Sequence, residues 1–209
     1  MEIVTAPKVS DHEESAKRRQ ILLGARAVFL GQGFDAASMG DIAREAKVSK
    51  GTLYVYFDSK EALFQEIVGE ECRAQAEQVF ALDSQDHDVE GVLIRLGRDF
   101  VRFLCEPHRV SSFRTVIAIA ERMPEIGARF YATGPAAGIA RVARYLQDQV
   151  AAGVLAVADC ELAAAQFLDS CKSTTFYPLL SNAAGRPTEA RIEYVVATAV
   201  RNFLAAYRR

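Results

Sequence analysis

The chain has 209 residues, 50% of them hydrophobic and 25% charged, with a formal net charge of −2. That length and balance exclude a disordered or low-complexity chain and allow one or two domains whose core needs no disulfide or metal staple. No run of about 18 apolar residues occurs, so no membrane-spanning helix is expected.

The opening residues, MEIVTAPKVSDHEES, hold acids and no apolar stretch, which argues against a signal peptide and for a flexible tail over 1–14. From Ser15 the pattern turns helical. Ile21, Leu22, Ala25, Val28 and Phe29 recur at three- and four-residue spacing, and Gly31 and Gly33 end that helix around Leu30–Gln32. Phe34 follows as a core anchor. Ser38 is a good N-cap for a short helix over Met39–Ala46, with Asp41 near the positive end of its dipole. After the tight link Lys47-Val48, Ser49 caps a second short helix, Lys50–Phe57. Asp58-Ser59 breaks it, and Ser59 caps a long helix from Lys60 to about Phe80, with Ala62, Leu63, Ile67 and Cys72 inward. Helices of about eight residues do not stand alone in water, so these pieces must pack together.

Further helices are expected over 86–104, stopped by Pro107, and over 108–121. A short segment over 124–132 is expected to break at Gly134-Pro135, before a helix over 136–152 that ends at Gly153. Asp159 caps a helix over 160–177, stopped by Pro178, and a last helix spans 188–207. Val154–Val157 reads as an interhelix link, and no alternating strand pattern survives. The expected fold is all-α, about nine helices: a three-helix helix-turn-helix head over 15–60 and a larger helical body over 61–209.

Charge follows the same division. Residues 15–60 carry eight Lys or Arg against four acids, while residues 61–209 carry 16 against 19. A basic head on a mildly acidic body points to the head as the part that meets a polyanion. The third helix opens Ser49-Lys50-Gly51-Thr52. Lys50 suits a guanine edge or a phosphate, Gly51 permits close backbone approach, and Thr52 suits base edges. The hydroxyls of Tyr54 and Tyr56 can reach phosphate, and Lys60 at the next helix start would be explained by a phosphate partner. Ordinary core-edge aromatics and solvated lysines would give the same pattern, so these residues alone leave DNA binding and a helical protein-interaction module both open.

The run RRQILLGARAVFLGQGFDAASMGDIAREAKVSKGTLYVYFDSKEALFQEIV, Arg18 to Val68, resembles the DNA-binding head of the TetR family of bacterial transcriptional regulators. Ile21, Ala25, Phe29, Gly33-Phe34, Ile42-Ala43, Ala46-Lys47-Val48-Ser49, Gly51-Thr52-Leu53-Tyr54, Tyr56-Phe57 and Ser59-Lys60-Glu61-Ala62-Leu63 carry the likeness, over about a quarter of the chain. It departs at Lys47, where the family usually has Gly. The resemblance implies that Ser38 and Thr52 meet phosphates or base edges, and that Ser49, Lys50, Gly51 and Tyr54 belong to the recognition helix. It further implies that Val55 helps set sequence preference and that Tyr56 and Lys60 touch backbone phosphate. It implies a homodimer on a palindromic double-stranded operator, most often as a repressor, and the widely spread cysteines read as those of a reduced, cytoplasmic chain. Phe113 to Gly134 resembles the body of AefR-like repressors, through Arg114, Glu121, Pro124-Glu125 and Phe130-Tyr131.

Family likeness also places a dimer interface on the last two helices. Its expected members are Leu162, Ala165, Gln166, Asp169, Ser173 and Phe176, with Ile192, Val195, Val196, Ala199, Val200 and Phe203. An effector pocket for a small apolar or amphipathic molecule is expected among the middle helices. Phe100, Phe103, Leu104, Phe113, Arg114, Ile117, Phe130, Tyr131, Tyr145, Phe167, Cys171, Thr174 and Tyr177 are its candidate lining. Arg114 stands in a segment expected to be buried, where it needs a partner. Glu121 is preferred, an acidic ligand the alternative. The four cysteines, Cys72, Cys105, Cys160 and Cys171, form no CxxC, and with three histidines no metal site is expected. Cys160 and Cys171 share a helical face and read as inert buried thiols before a redox sensor. No HExxH, GxSxG, P-loop or dinucleotide motif occurs, so neither an enzyme nor a cofactor is expected.

Overall fold

The computed structural model describes residues 11–209, with the side chains of 11–13, 71–72 and 74–78 left aside. Most of the expected tail, and Cys72 on its helix, therefore lie outside the described residues and side chains. Among the described residues the fold is all-α, with no strand beyond one isolated bridge. None of these helices is long and apolar enough to cross a membrane. The chain divides into two units, Met1–Ile67 and Val68–Arg209. The division falls inside the helix that begins at Lys60 rather than ahead of it.

In the first unit, α1 (Asp11–Ala36) starts earlier than Ser15 and runs past Gly31. Its kink is at Gly33, whose φ of 80° lies in the region glycine tolerates best. The kink turns Phe34 inward, and Phe29, Phe34 and Phe64 pack with ring centroids 5.2–5.6 Å apart. α2 (Met39–Glu45) and α3 (Lys50–Tyr56) take the expected caps: Ser38 Oγ accepts from the Asp41 amide, and Ser49 Oγ from the Thr52 amide. Ile21, Ile42, Leu53 and Leu63 are fully buried between these helices and α4 (Lys60–Gln78). α1 and α2 touch so closely that a Cβ on Gly24 would lie 2.7 Å from Ala46 backbone. Beside that contact Gln20 Nε2 donates to the Ala46 carbonyl at 2.6 Å.

The second unit holds α5 (Val89–Leu104), α6 (Pro107–Ala120), α7 (Pro124–Tyr131), α8 (Ala137–Ala151), α9 (Cys160–Lys172), α10 (Phe176–Leu180) and α11 (Glu189–Tyr207). Asp88, Asp159 and Thr188 cap α5, α9 and α11 through their side-chain oxygens. α11 packs against α5 and α9. Leu93, Val101, Leu146, Ala164, Cys171 and Val196 are fully buried in that core. Arg98 pairs with Glu193, and Arg102 with Glu189 at 2.8 Å, across α5 and α11. Gln149 is the fully buried polar side chain of α8. It bonds His87 Nδ1 at 2.7 Å and donates to the Ser84 carbonyl at 2.9 Å, so its burial leaves no amide atom orphaned.

Four expected boundaries change. Pro107 opens α6 at the first helical turn, where its missing N–H costs nothing. Gly134-Pro135 does not break the chain: a π-turn, Ala132–Ala136, joins α7 to α8 and its wider winding accommodates Pro135. The helix expected over 160–177 ends at Lys172, and Thr175 Oγ1 donates back to the Cys171 carbonyl at 2.8 Å. Pro178 lies within α10 instead of stopping the helix before it. The Val154–Val157 link is buried at Leu155 and pairs with the C-terminus through a Leu155–Arg208 bridge.

Candidate functional site

α3 is short because Ser49 starts it and Phe57, with extended φ/ψ, ends it. Leu53 and Phe57 anchor it inward. The opposite side presents Lys50, Gly51, Tyr54 and Val55, and Val55 is 81% exposed. Tyr56 and Thr52 are half-buried at the edges. Ser49 Oγ and Thr52 Oγ1 share a hydrogen bond of 2.7 Å, which fixes both hydroxyls at the helix start. A slender helix with small and polar residues at its exposed N-terminal end is the shape a major groove admits.

The α2–α3 turn sets where α3 points. Lys47 has φ of 53°, its amide bonds the Arg44 carbonyl and the Val48 amide bonds the Ala43 carbonyl. This is a Schellman C-cap with lysine in the left-handed position that glycine fills most cheaply. Ahead of α2, Ser38 Oγ donates to Asp41 Oδ2 at 2.6 Å, and Arg44 lies 2.5 Å from Asp41 Oδ1. The Ser38 hydroxyl, and then Arg44, hold the Asp41 carboxyl below its ordinary pKa. Ser38 is thus exposed but already committed to the α2 N-terminus.

Lys60 departs from its expected role. Its ammonium donates to the carbonyls of Phe34, Asp35 and Ala37 at 2.9, 3.1 and 3.0 Å, and sits 4.7 Å from the Phe34 ring centroid. An ammonium has three donors, and all three are spent on the chain that links α1 to α2. Lys60 is a clamp that positions the helix-turn-helix, with no donor left for a phosphate. The partners lie more than 20 residues away in sequence, beyond what local spacing shows.

In the second unit a cavity of about 110 Å³ opens among α5, α6, α8, α9 and α10. Of the expected lining, Phe100, Phe103, Leu104, Phe113, Phe130 and Tyr177 are on its wall. Val68, Phe80, Arg109, Gly138, Ile139 and Lys172 were not foreseen there. Phe80 belongs because Gly138 has no side chain: a Cβ there would meet the ring at 2.8 Å.

The other expected lining residues lie elsewhere. Tyr131 and Thr174 are exposed. Tyr145 is buried in the core and its hydroxyl donates to the Asp86 carbonyl at 2.8 Å. Phe167 stacks edge-on against Phe203 in the core. Cys171 is fully buried in the core, its Sγ beside Gly97. Arg114 and Ile117 border a separate open groove on the outer side of α6. Arg114 is exposed, and donates to the carbonyls of Leu179 and Leu180 at 2.7 and 2.8 Å rather than pairing with Glu121. It caps the last carbonyls of α10, a favourable place for a cation.

The expected dimer face is also redrawn. Ile192, Val195, Val196, Ala199, Val200 and Phe203 are buried within this one chain, where α11 meets α5 and α9. Phe176 is buried too, and with Ala165 and Asp169 it lines the cavity. Leu162, Gln166 and Ser173 remain exposed along α9, and Tyr194 is exposed on α11.

Burial pushes the Cys171 thiol up to about 12 and the Cys105 thiol to about 11; burial, then Asp159, raises Cys160. A thiol held above its ordinary pKa is protonated at neutral pH and a poor nucleophile. Cys105 and Cys171 should therefore resist iodoacetamide at about pH 8 in the native protein and react once it is unfolded, as read by mass spectrometry. Fast native alkylation of Cys171 would overturn this. Among the described residues no cluster of His, Cys, Asp and Glu is arranged to hold a metal.

The sequence profile described as bacterial regulatory proteins, tetR family, matches residues 21–67. The profile of the AefR-like transcriptional repressor C-terminal domain matches residues 91–209. A structure of a TetR-family transcriptional regulator from Mesorhizobium loti is similar with a TM-score of 0.86 and 30% identity, over 93% of this chain and 98% of that one. Flavonoid-responsive Regulator FrrA is similar with a TM-score of 0.78 and 32% identity, over 93% and 98%. The HTH-type transcriptional repressor Rv1474c of Mycobacterium tuberculosis is 33% identical over 117 residues, 56% of each protein. The chain spans only 31% to 56% of the length of the first curated relatives it matches. The head likeness, the body profile over more than half the chain and the two full-length structures agree: the chain belongs to the TetR family of bacterial regulatory proteins.

Proposed function

We propose that this chain is a sequence-specific DNA-binding transcriptional regulator, a repressor that reads a palindromic operator as a homodimer and is released by a small effector. One observation carries the reading. α3 buries Leu53 and Phe57 and turns Lys50, Gly51, Tyr54 and Val55 outward, on a turn rigidly closed at both ends. Ser38, Ser49, Thr52 and Tyr56 support that face from its edges.

The two-fold partner is proposed to sit on the exposed sides of α9 and α11, through Leu162, Gln166, Ser173 and Tyr194. A homodimer of this kind uses the same patch twice. The effector is proposed to occupy the aromatic cavity. α4 carries Lys60 in the first unit and Val68 on the cavity wall in the second. A ligand that prefers one placement of α4 would shift the population between DNA-binding and released states. FrrA, named as flavonoid-responsive, supports an aromatic effector for a relative of this fold and length.

Selection of bound sequences from a random duplex library, with full-length protein at fixed salt, tests the reading. A recovered palindrome is expected. The Lys50→Ala, Tyr54→Ala double variant should then lose about 1000-fold or more in operator affinity, at about 1–3 kcal/mol for each of the two contacts in each subunit of the dimer. No enriched site from folded, dimeric protein would sink the operator reading and favour a protein-interaction module.

A further inference from the structure

We infer that Val55 is a specificity-determining residue that reads a thymine in each operator half-site through the C5-methyl group of that base. The inference rests on the reading of the first unit as an operator-binding head.

An exposed valine is ordinary on a protein surface. What singles out Val55 is its place on α3. Among the described residues it is the most exposed of the large apolar side chains, at 81%. It stands two residues after Leu53 and two before Phe57, and both of those are buried. Two residues turn an α-helix by about 200°, so Val55 projects from the side opposite the core. Gly51 lies one turn earlier on nearly the same line. A Cβ at Gly51 would meet only the Ser49 hydroxyl, at 3.8 Å. The outermost line of α3 is thus bare backbone followed by a valine, and a groove that receives α3 receives that line deepest. Lys50 and Tyr54 flank it on one side and Thr52 on the other. The Thr52 hydroxyl is drawn towards the helix start by its bond to Ser49 Oγ at 2.7 Å.

The chemistry at that deepest point is restrictive. A valine side chain neither donates nor accepts a hydrogen bond. In the major groove A, G and C present hydrogen-bonding groups, whereas T adds a methyl group. Val55 laid against a polar base edge would strip it of water and return nothing. Laid against a thymine methyl, it takes two apolar surfaces out of water at once. The same side chain therefore favours thymine and disfavours its competitors.

The test compares the parent with Val55→Ala, both full-length, at one salt concentration low enough for both to bind. The site is exposed and alanine suits a helix, so the variant should keep the parent melting curve. Selection from a random duplex library supplies the parent operator. That operator is rebuilt with deoxyuridine replacing one symmetric pair of thymines at a time. The exchange removes the methyl group and keeps every hydrogen-bonding group. At one position per half-site it should weaken the parent by about fifteen-fold, about four-fold for each methyl removed. In Val55→Ala the same exchange should cost about three-fold or less. With cytosine at that position, adding the 5-methyl group should tighten binding by the parent and leave the variant unchanged. A deoxyuridine cost equal in parent and variant overturns the inference, as does a recovered operator in which no thymine methyl matters. Either result leaves the operator reading standing. No enriched sequence from folded, dimeric protein removes the operator reading, and this inference with it.

Discussion

Replacing Gly24 by Ala should unfold or misplace the helix-turn-helix and abolish operator binding, with the second unit still folded. Alanine is the better helix former by about 1 kcal/mol, so on propensity alone this change in α1 would stabilise. The contact decides otherwise. The new methyl would sit 2.7 Å from the Cα, Cβ and N of Ala46, and two of those three atoms are backbone. No rotamer change relieves such a clash, so α2 must move off α1. Overpacking costs about 1–3 kcal/mol where side chains yield, and a backbone clash belongs at or beyond the upper end. The net effect is a loss of about 2 kcal/mol or more, large against the stability of a unit this small. The movement also pulls the Ala46 carbonyl away from Gln20, and carries with it the turn that aims α3. Gly31 is the control. It lies in the same helix with nothing within 4 Å of its missing Cβ, so Gly31→Ala should stabilise by about 0.5–1 kcal/mol. Denaturant melts with hydrogen exchange of the α2 and α3 amides read both. A Gly24→Ala protein as stable as Gly31→Ala would show that the two helices do not meet as described.

Why the caps were readable and the faces were not has a physical basis. Ser38, Ser49, Ser59 and Asp159 each bond an amide three residues away, so the sequence carries donor and acceptor side by side. The tight link at Lys47-Val48 was legible, but its left-handed lysine was not, because the bonds that close it run backbone to backbone and the family usually has Gly there. Burial on α11 was not. Periodicity marks Ile192, Val195, Val196, Ala199, Val200 and Phe203 as one apolar stripe, but nothing local says whether a second chain or α5 and α9 covers it. Arg114 and Glu121 do share a helical face, as their spacing suggests. That face is the outer one, with Ile117 and Ala118 exposed between them, and the guanidinium reaches 65 residues onward to Leu179. Gly134-Pro135 misled because a π-turn, rarely signalled by sequence, lets the helix absorb a proline. The cavity was half legible: its phenylalanines stood out, whereas Gly138 and Val68 line it through what they leave open.

Lys60 gives the sharpest test between sequence expectation and structure, because the two assign different physics to one charge. If Lys60 neutralised a phosphate, Lys60→Met would weaken operator binding and make its dependence on salt shallower, by about one unit of slope per subunit. The structure predicts another result. The ammonium bridges the carbonyls of Phe34, Asp35 and Ala37 and rests against the Phe34 ring, tying the end of α1 to the start of α4. Hydrogen bonds to a charged group contribute about 1.5–3 kcal/mol, and three carbonyls lose their partner together. Water reaches part of this half-buried site and repays some of the loss, so the first unit should lose about 2–3 kcal/mol. Operator affinity then falls because the head is less often folded, while the salt slope of the folded fraction stays as in the parent. Lys60→Arg separates charge from geometry. It keeps the positive charge, but a planar fork does not replace a compact ammonium set between three carbonyls. The arginine variant should therefore stay closer in stability to Lys60→Met than to the parent. Raising protein stability with an osmolyte should restore much of the methionine variant's binding, since the exposed face of α3 is untouched. A normal melting curve together with a shallower salt slope would return Lys60 to the phosphate backbone and leave the three carbonyls held by something else.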